Sequence, residues 1–392
     1  MPFDYLLAGR TKRMGASAIR ELLKVVSQPG MISLAGGIPA PESFPMELMG
    51  RLLAQVIDRY GSRAFQYDRT EGFKPLCEAL ADYLRKSGID ANPDQIYITC
   101  GSQGVLDAAA KILISRGQKV AVEAPTYVGA IQAFNPYEPE YVPVETDENG
   151  IIPEALETVL RKHKIQFVYM VPNFQNPSGR TLPLDRRKQI ARMAQDHDVL
   201  ILEDDPYGAL RYSGEAVPPI RNFAPDHVIY TSTFSKIFAP GLRTGFFLAP
   251  PLIAKWMVLA KQGIDLHTST LNQALAAEYI TGGYLDNQIP KIVTLYRPKL
   301  QAMLRALDSS FPDHFTWSRP EGGMFVWVEG PPDFDAESIY ASAVREKTAF
   351  VPGKYFFTSS QQGMNTMRLN FTMSTEADIE KAVYILAQLI QG

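Results

Sequence analysis

The chain is poor in cysteine, and its histidines are scattered. Only Cys77 and Cys100 occur in 392 residues. Two thiols cannot build a disulfide framework, and their scarcity suits a reducing compartment. The five histidines, at positions 163, 197, 227, 267 and 314, lack ligand spacing with the cysteines, so no metal is expected. There is no basic excess either. The net charge of −3 gives no reason to expect nucleic acid or an anionic membrane as partner. No apolar run approaches the ~20 residues of a membrane span. Met1 to Tyr5 does not open a basic stretch followed by an apolar core, as a secretory leader would. The expectation is a soluble, cytoplasmic protein. Signatures of several chemistries are missing too. Neither G-x-G-x-x-G nor G-x-x-x-x-G-K-[ST] occurs, so dinucleotide and P-loop readings lack their glycines. There is no G-x-S-x-G elbow. An S-x-x-K nucleophile fails at Lys236, because position 233 is threonine.

What is present is ordinary in composition and ordered in pattern. The chain is 46% hydrophobic and 21% charged, which suits a globular enzyme of two or three domains. Short apolar runs at 96–99, 119–123, 167–171, 199–202 and 228–230 alternate with helical patterns, including one over 105–116. Near-continuous apolar strands separated by helices predict a parallel-type sheet covered on both faces. Ligands bind at the carboxyl ends of such strands. Those ends collect Ser102, Tyr127, Asn176, Asp204 and Lys236. Gly101, Ser102 and Gln103 open a helix, where free backbone N–H groups favour an anion; Ser is also a common cap.

Lys236 sits at the mouth of the last of these strands, among Thr231, Ser232, Thr233 and Ser235, with Arg243 seven residues on. A free lysine amine has a pKa of about 10.4, so a nucleophilic lysine must be desolvated, set near a cation or held as an imine. Arg243 is that cation, or it holds an anion beside the lysine. Hydroxyls with arginine suit a phosphate. Lysine with a phosphate clamp points to pyridoxal phosphate, whose aldehyde condenses with lysine.

Elsewhere, an amphipathic helix is expected over 11–27, with Arg20 off its apolar face, followed by helices over 46–60 and 75–87. Helices fill 252–283. A long helix over 284–309, short strands near 314–318, 324–328, 348–351 and 366–371, and helices over 336–346 and 376–390 make a second, α+β region.

Ten stretches, in this order, resemble the fold-type I pyridoxal-phosphate aminotransferases of class I/II. They are SLAGGIPAPESFP (33–45), FQYDRTEGF (65–73), ITCGSQGVLD (98–107), EAPTYVGAIQAF (123–134), PNFQNPSGR (172–180), LEDDPYG (202–208), STFSKIFAPGLRTG (232–245), RPEGGMFVW (319–327), AFVPG (349–353) and MRLNF (367–371). The likeness is greatest to the 2-aminoadipate and kynurenine branch, and within it to multi-substrate 2-aminoadipate aminotransferases. That branch also includes the aminotransferase-like domains of transcription regulators, which carry an extra DNA-binding region that is not expected here. The resemblance implies an α/β fold with a mostly parallel seven-stranded sheet between helices and a smaller α+β domain. Residues 1–45 would join the small domain and the site, 46–283 would hold the cofactor, and 284–392 would form the small domain.

The resemblance also implies roles. Lys236 carries the cofactor as an imine and moves the substrate proton. Asp204 pairs with the pyridinium nitrogen, although Asp205 stands beside it. Tyr207 and Asn176 bond the cofactor's O3′. Tyr127 stacks on the ring, or is a core tyrosine. Gly101, Ser102, Gln103, Thr233, Ser235 and Arg243 hold the phosphate; Thr233 stands where a serine is expected, with the hydroxyl kept. Arg368 grips the substrate α-carboxylate, helped by Asn176 and Gly37. Arg20 meets an acidic side chain, or is a surface charge. Tyr67 reaches the phosphate of the neighbouring subunit in a homodimer, or is an ordinary interface or core tyrosine. The implied reaction is a ping-pong exchange between an L-amino acid and a 2-oxo acid, 2-oxoglutarate foremost. A β-lyase or decarboxylase on the same cofactor is the alternative, and a non-enzymatic binding module a more remote one.

Overall fold

The computed structural model describes residues 3–15, 29–359 and 361–392. Most of the helix expected over 11–27, and Arg20 with it, lies outside the described residues. Where that expectation begins, Gly9–Arg13 form a 3-10 helix.

After the short strand β1 (Ile32–Ser33) come α1 (Met46–Tyr60) and α2 (Lys74–Lys86). Gly61, at φ +53, ends α1, and Pro75 sits in the first turn of α2, where its missing N–H costs nothing. The alternating part then runs β2 (Tyr97–Thr99), α3 (Ser102–Leu113), β3 (Lys119–Ala124), α4 (Val128–Phe134) and β4 (Glu140–Asp147). It continues through β5 (Gly150–Ile151), α5 (Pro153–Lys162), β6 (Ile165–Met170), α6 (Leu184–Asp196), β7 (Leu200–Asp204), β8 (Val228–Thr233) and β9 (Gly245–Leu248).

These strands form an eight-stranded sheet in the order β2-β9-β8-β7-β6-β3-β4-β5. β9 runs against both neighbours and β5 against β4; all other pairings are parallel. Seven strands carry the sheet, and the two-residue β5 is a hairpin return at one edge. The central strands β3, β6, β7 and β8 are almost wholly buried, as helices on both faces require. β4 is mostly half-exposed, with Val144 its only buried residue. It therefore lacks the continuous apolar run that marks its neighbours in the sequence.

α7 (Pro251–Asp265) and α8 (Thr270–Thr281) follow, and then α9 (Tyr284–Ser310). At 1.5 Å per residue α9 is roughly 40 Å long, with Pro290 and Pro298 inside it. Beyond it lie β10 (Thr316–Trp317), β11 (Phe325–Glu329), α10 (Ala336–Arg345), β12 (Thr348–Ala349), β13 (Val351–Pro352), β14 (Thr366–Asn370) and α11 (Glu376–Gln391). β10, β11, β14 and β13 make an antiparallel sheet, while β12 pairs in parallel with β1. The latter pairing ties the early chain to the late one. Asn370 N donates to Leu34 O at 2.7 Å, and Leu34 N to Ala349 O at 2.7 Å. Among the described residues no helix is long and apolar enough to cross a membrane.

Candidate active site

The carboxyl ends of β3, β6, β7 and β8 open into a cavity of about 400 Å³. Of the residues singled out in the sequence, Gly37, Ser102, Gln103, Tyr127, Asn176, Asp204, Tyr207, Thr233, Ser235, Lys236, Arg243 and Arg368 all line it. Gly101 adjoins it. Tyr67 does not line it; it is 77% exposed and stands edge-on to His267.

Lys236 is half-buried, and its amine donates to Gly37 O at 3.0 Å. Burial, with Arg243 and Arg368 nearby, lowers its pKa to about 8, a value suited to a nucleophile or base at neutral pH. β7 delivers two acids in different states. Asp204 is buried and accepts from the Tyr169 hydroxyl at Oδ2, 3.0 Å, while Oδ1 has no hydrogen-bond partner among the described residues. Burial pushes Asp204 up to about 7, against the pull of the Tyr169 bond. Asp205 is consumed by the fold: its carboxylate accepts from Asn173 Nδ2 at 2.9 Å, Gly208 N at 3.0 Å and Tyr230 OH at 3.2 Å. Asp205 does not line this cavity.

The anion end is built on the start of α3. Gly101, at φ +74, turns the chain so that Ser102 begins the helix; the expected start at 105 is three residues late. Gly104 N donates to Gly101 O at 3.1 Å; the Ser102 and Gln103 N–H groups have no intrahelical acceptor, and the helix dipole favours negative charge beside them. A Cβ on Gly101 would meet Arg243 Nη2 at 2.6 Å, and one on Gly245 would meet the Ser102 nitrogen at 2.8 Å. Both glycines therefore allow the backbone and the guanidinium to close up. Thr233 Oγ1 and Ser235 Oγ lie 2.9 Å apart, and Arg243 Nη1 is 3.5 Å from Ser235 Oγ. The Gln103 side chain donates to Gly129 O at 2.8 Å.

Tyr127 folds back over Gly129, where a Cβ would lie 2.4 Å from the phenol ring. Tyr207 OH receives a long contact of 3.5 Å from Asn176 Nδ2. The Asn176 side-chain oxygen accepts from Arg368 Nη1 at 2.9 Å, and Ala35 O accepts from Nη2 at 2.7 Å. Arg368 is buried between Phe325 and Phe356, whose ring centroids lie 4.3 and 4.9 Å from its guanidinium carbon. Burial lowers its pKa to about 10. It has no carboxylate partner among the described residues, and Nε has no partner at all there. A buried cation held only by neutral acceptors is a site for an anion.

Some lining residues carry no signal in the sequence. Ile38, Gln132 and Val171 face the cavity, and Tyr169 stands behind Asp204. Within the run Phe167–Met170, Tyr169 reads as one more apolar strand position.

A desolvated amine, a half-satisfied buried carboxylate and a helix-start anion cradle at the strand ends of one sheet, with an anion-ready arginine brought to them by β14 of the other, agree with the comparisons to known proteins. The family model for aminotransferase class I and II matches residues 46–386. Aromatic-amino-acid aminotransferase 1 of Thermococcus litoralis is 45% identical, with 100% of this chain and 95% of the relative covered. The multiple substrate aminotransferase of Thermococcus profundus superposes with a TM-score of 0.95 at 43% identity, covering 100% of this chain and 98% of that one. The α-aminoadipate aminotransferase of Thermus thermophilus, solved with N-(5′-phosphopyridoxyl)-L-leucine, gives 0.92 at 38%, covering 100% and 99%. The chain belongs to the class I and II aminotransferases.

Proposed function

We propose that this transaminase moves the α-amino group of a range of L-amino acids to a 2-oxo acid, 2-oxoglutarate foremost, in two half-reactions at the cavity described above. The observation that carries the reading is Arg368: a buried guanidinium with no carboxylate partner among the described residues, in the cavity that also holds the half-buried Lys236. An amino acid and a 2-oxo acid share one feature, the carboxylate, and one fork-shaped donor serves both. The relatives named above for aromatic, α-aminoadipate and multiple substrates favour amino transfer over elimination or decarboxylation.

The cofactor is pyridoxal 5′-phosphate, and the donor set fits it. The partnerless Oδ1 of Asp204 suits a ring N–H, and the cradle at Gly101 suits a phosphate. When bound, the cofactor supplies an aldehyde that condenses with amines and a ring that withdraws electrons from Cα bonds. On this reading Ser102, Thr233, Ser235, Arg243 and the first-turn amides of α3, including that of Gln103, hold the phosphate. Asp204 accepts from the ring nitrogen and keeps it protonated. Tyr207 and Asn176 orient the ring oxygen, and Tyr127 covers the ring face. Arg368 grips the α-carboxylate, and Gly37 O positions the Lys236 amine. Lys236 Nζ, mostly neutral above about pH 8, takes the proton from substrate Cα and returns it on the other side of the exchange. The segment 46–283 would carry the cofactor and 284–392 would bring Arg368 to it, with 1–45 touching both.

The test is a panel of L-amino acids added to the holoenzyme without an oxo acid. Each true donor should bleach the visible cofactor band stoichiometrically, and 2-oxoglutarate should restore it. Lys236→Ala should abolish both changes. Release of ammonia or carbon dioxide in place of a restorable bleach would overturn the reading.

A further inference from the structure

Tyr169 is the next-to-last residue of β6, which lies next to β7 in the sheet. The two strands are parallel and in register, Tyr169 beside Leu202. Side chains two apart on a strand share a face, so Tyr169 lies on the face that carries both Leu202 and Asp204. Its phenol therefore runs along β7 and meets the carboxylate from behind, at 3.0 Å. The ring is fixed edge-on to Phe134, at 5.7 Å between centroids, so the hydroxyl has little freedom. No other donor reaches Asp204 among the described residues, and no arginine or lysine pairs with it.

We propose that Tyr169 is a positioning residue for the amino-transfer reaction: its hydroxyl occupies Oδ2 of Asp204 and thereby turns Oδ1 to the ring nitrogen of the cofactor. The proposal rests on Asp204 being the partner of that nitrogen. With both donors in place the carboxylate is bridged, phenol on one oxygen and ring N–H on the other. Each donor favours the ionised carboxylate that a pyridinium needs. The phenol gives up no proton; it remains a neutral donor throughout.

The holoenzyme of Tyr169→Phe keeps the aromatic ring and removes only the hydroxyl. Its amine half-reaction should slow about 10-fold, the worth of one hydrogen bond to a charged group, with little change in amino-acid affinity. Loaded with cofactor labelled with ¹⁵N in the ring, the variant should show the nitrogen resonance displaced from the pyridinium position toward neutral pyridine. In the Asp204→Asn background the same replacement should change the rate by less than about 2-fold, because the two residues act as a unit. A full 10-fold loss in that background, or an unmoved ¹⁵N resonance, would overturn the proposal. If Asp204→Asn alone has no effect, the underlying assignment of Asp204 fails instead, which is a different result. A crystal structure of the unaltered holoenzyme gives a reading independent of any variant. It should show Tyr169 OH within about 3.2 Å of one Asp204 oxygen and the ring nitrogen on the other; a phenol turned away from the carboxylate sinks the idea.

Discussion

Glu123, at the end of β3, is a buried carboxyl that the amino-transfer chemistry does not use. It accepts from Val171 N at 2.9 Å, and burial raises its pKa from 4.5 to about 8. The folded chain therefore holds this proton longer than the unfolded chain does. The stability Glu123 contributes is fully present below about pH 4.5 and is lost as pH rises through about 8. Glu123→Gln should remove that dependence, whose slope for one proton is at most about 1.4 kcal/mol per pH unit. Chemical denaturation at pH 5, 7 and 9 checks it: the variant should gain on the parent chain toward pH 9. A parallel pH profile for both proteins would place the titration elsewhere. Single positions were otherwise unevenly legible. Lys236 and Arg368 stand out in their motifs. The choice between Asp204 and Asp205 could not be read from two adjacent letters, because it depends on which carboxylate the loop consumes. Asn173, Gly208 and Tyr230 consume Asp205, and only Gly208 stands near it in the sequence.

The start of α3 shows how a turn and a helix become one anion cradle. Gly101 occupies a conformation that side-chain-bearing residues rarely adopt, and its missing Cβ leaves room for Arg243. Gly101→Ala should therefore strain the turn and displace the guanidinium together. Cofactor affinity should fall about 10-fold or more, since about 1.4 kcal/mol of strain already corresponds to tenfold. Thermal stability of the cofactor-free chain should change by only a few degrees. Equilibrium dialysis of the cofactor, beside a melting curve without it, separates the two effects, and unchanged affinity would contradict this account. Most elements were readable because the buried strands are continuous apolar runs and the helices have a 3.6-residue period. β4, β5 and β9 were not. β4 is half-exposed, β5 has two residues, and β9 is four residues long behind a Pro-Gly turn. β9 is placed by pairing with β2 and β8, β4 by β3 and β5, and β5 by β4 alone, not by their own pattern.

One chain leaves large apolar side chains uncovered. Met46, Leu53 and Ile57 of α1, Leu252, Trp256 and Leu259 of α7, and Phe65 and Tyr67 are exposed. Spacing of three, four and seven puts each helical set on one stripe, and stripes of this kind are used for association. If the chain pairs as a homodimer, these side chains would lie at a two-fold interface, with Tyr67 of one subunit reaching the other's phosphate. Mixing inactive Tyr67→Ala and Lys236→Ala proteins should restore activity, because one site of each mixed dimer carries neither defect. Recovery cannot exceed about half of the sites, by two-fold symmetry. Subunit exchange without recovery would return Tyr67 to its own chain. Arg20 lies outside the described residues, so the choice between an acidic-substrate contact and a surface charge rests on the sequence alone.

The isolation of Arg368 from every carboxylate of the described residues has a consequence for how this enzyme is handled on the bench. A guanidinium pressed between Phe325 and Phe356 selects by shape as well as charge, and a planar carboxylate suits its fork better than a spherical halide. Acetate or formate buffers should therefore compete with every amino acid and every oxo acid alike. At constant ionic strength, replacing chloride by acetate should raise the apparent KM and leave kcat unchanged. Apparent KM values measured in different buffers would then differ through the buffer anion, while the ranking of substrates stays the same.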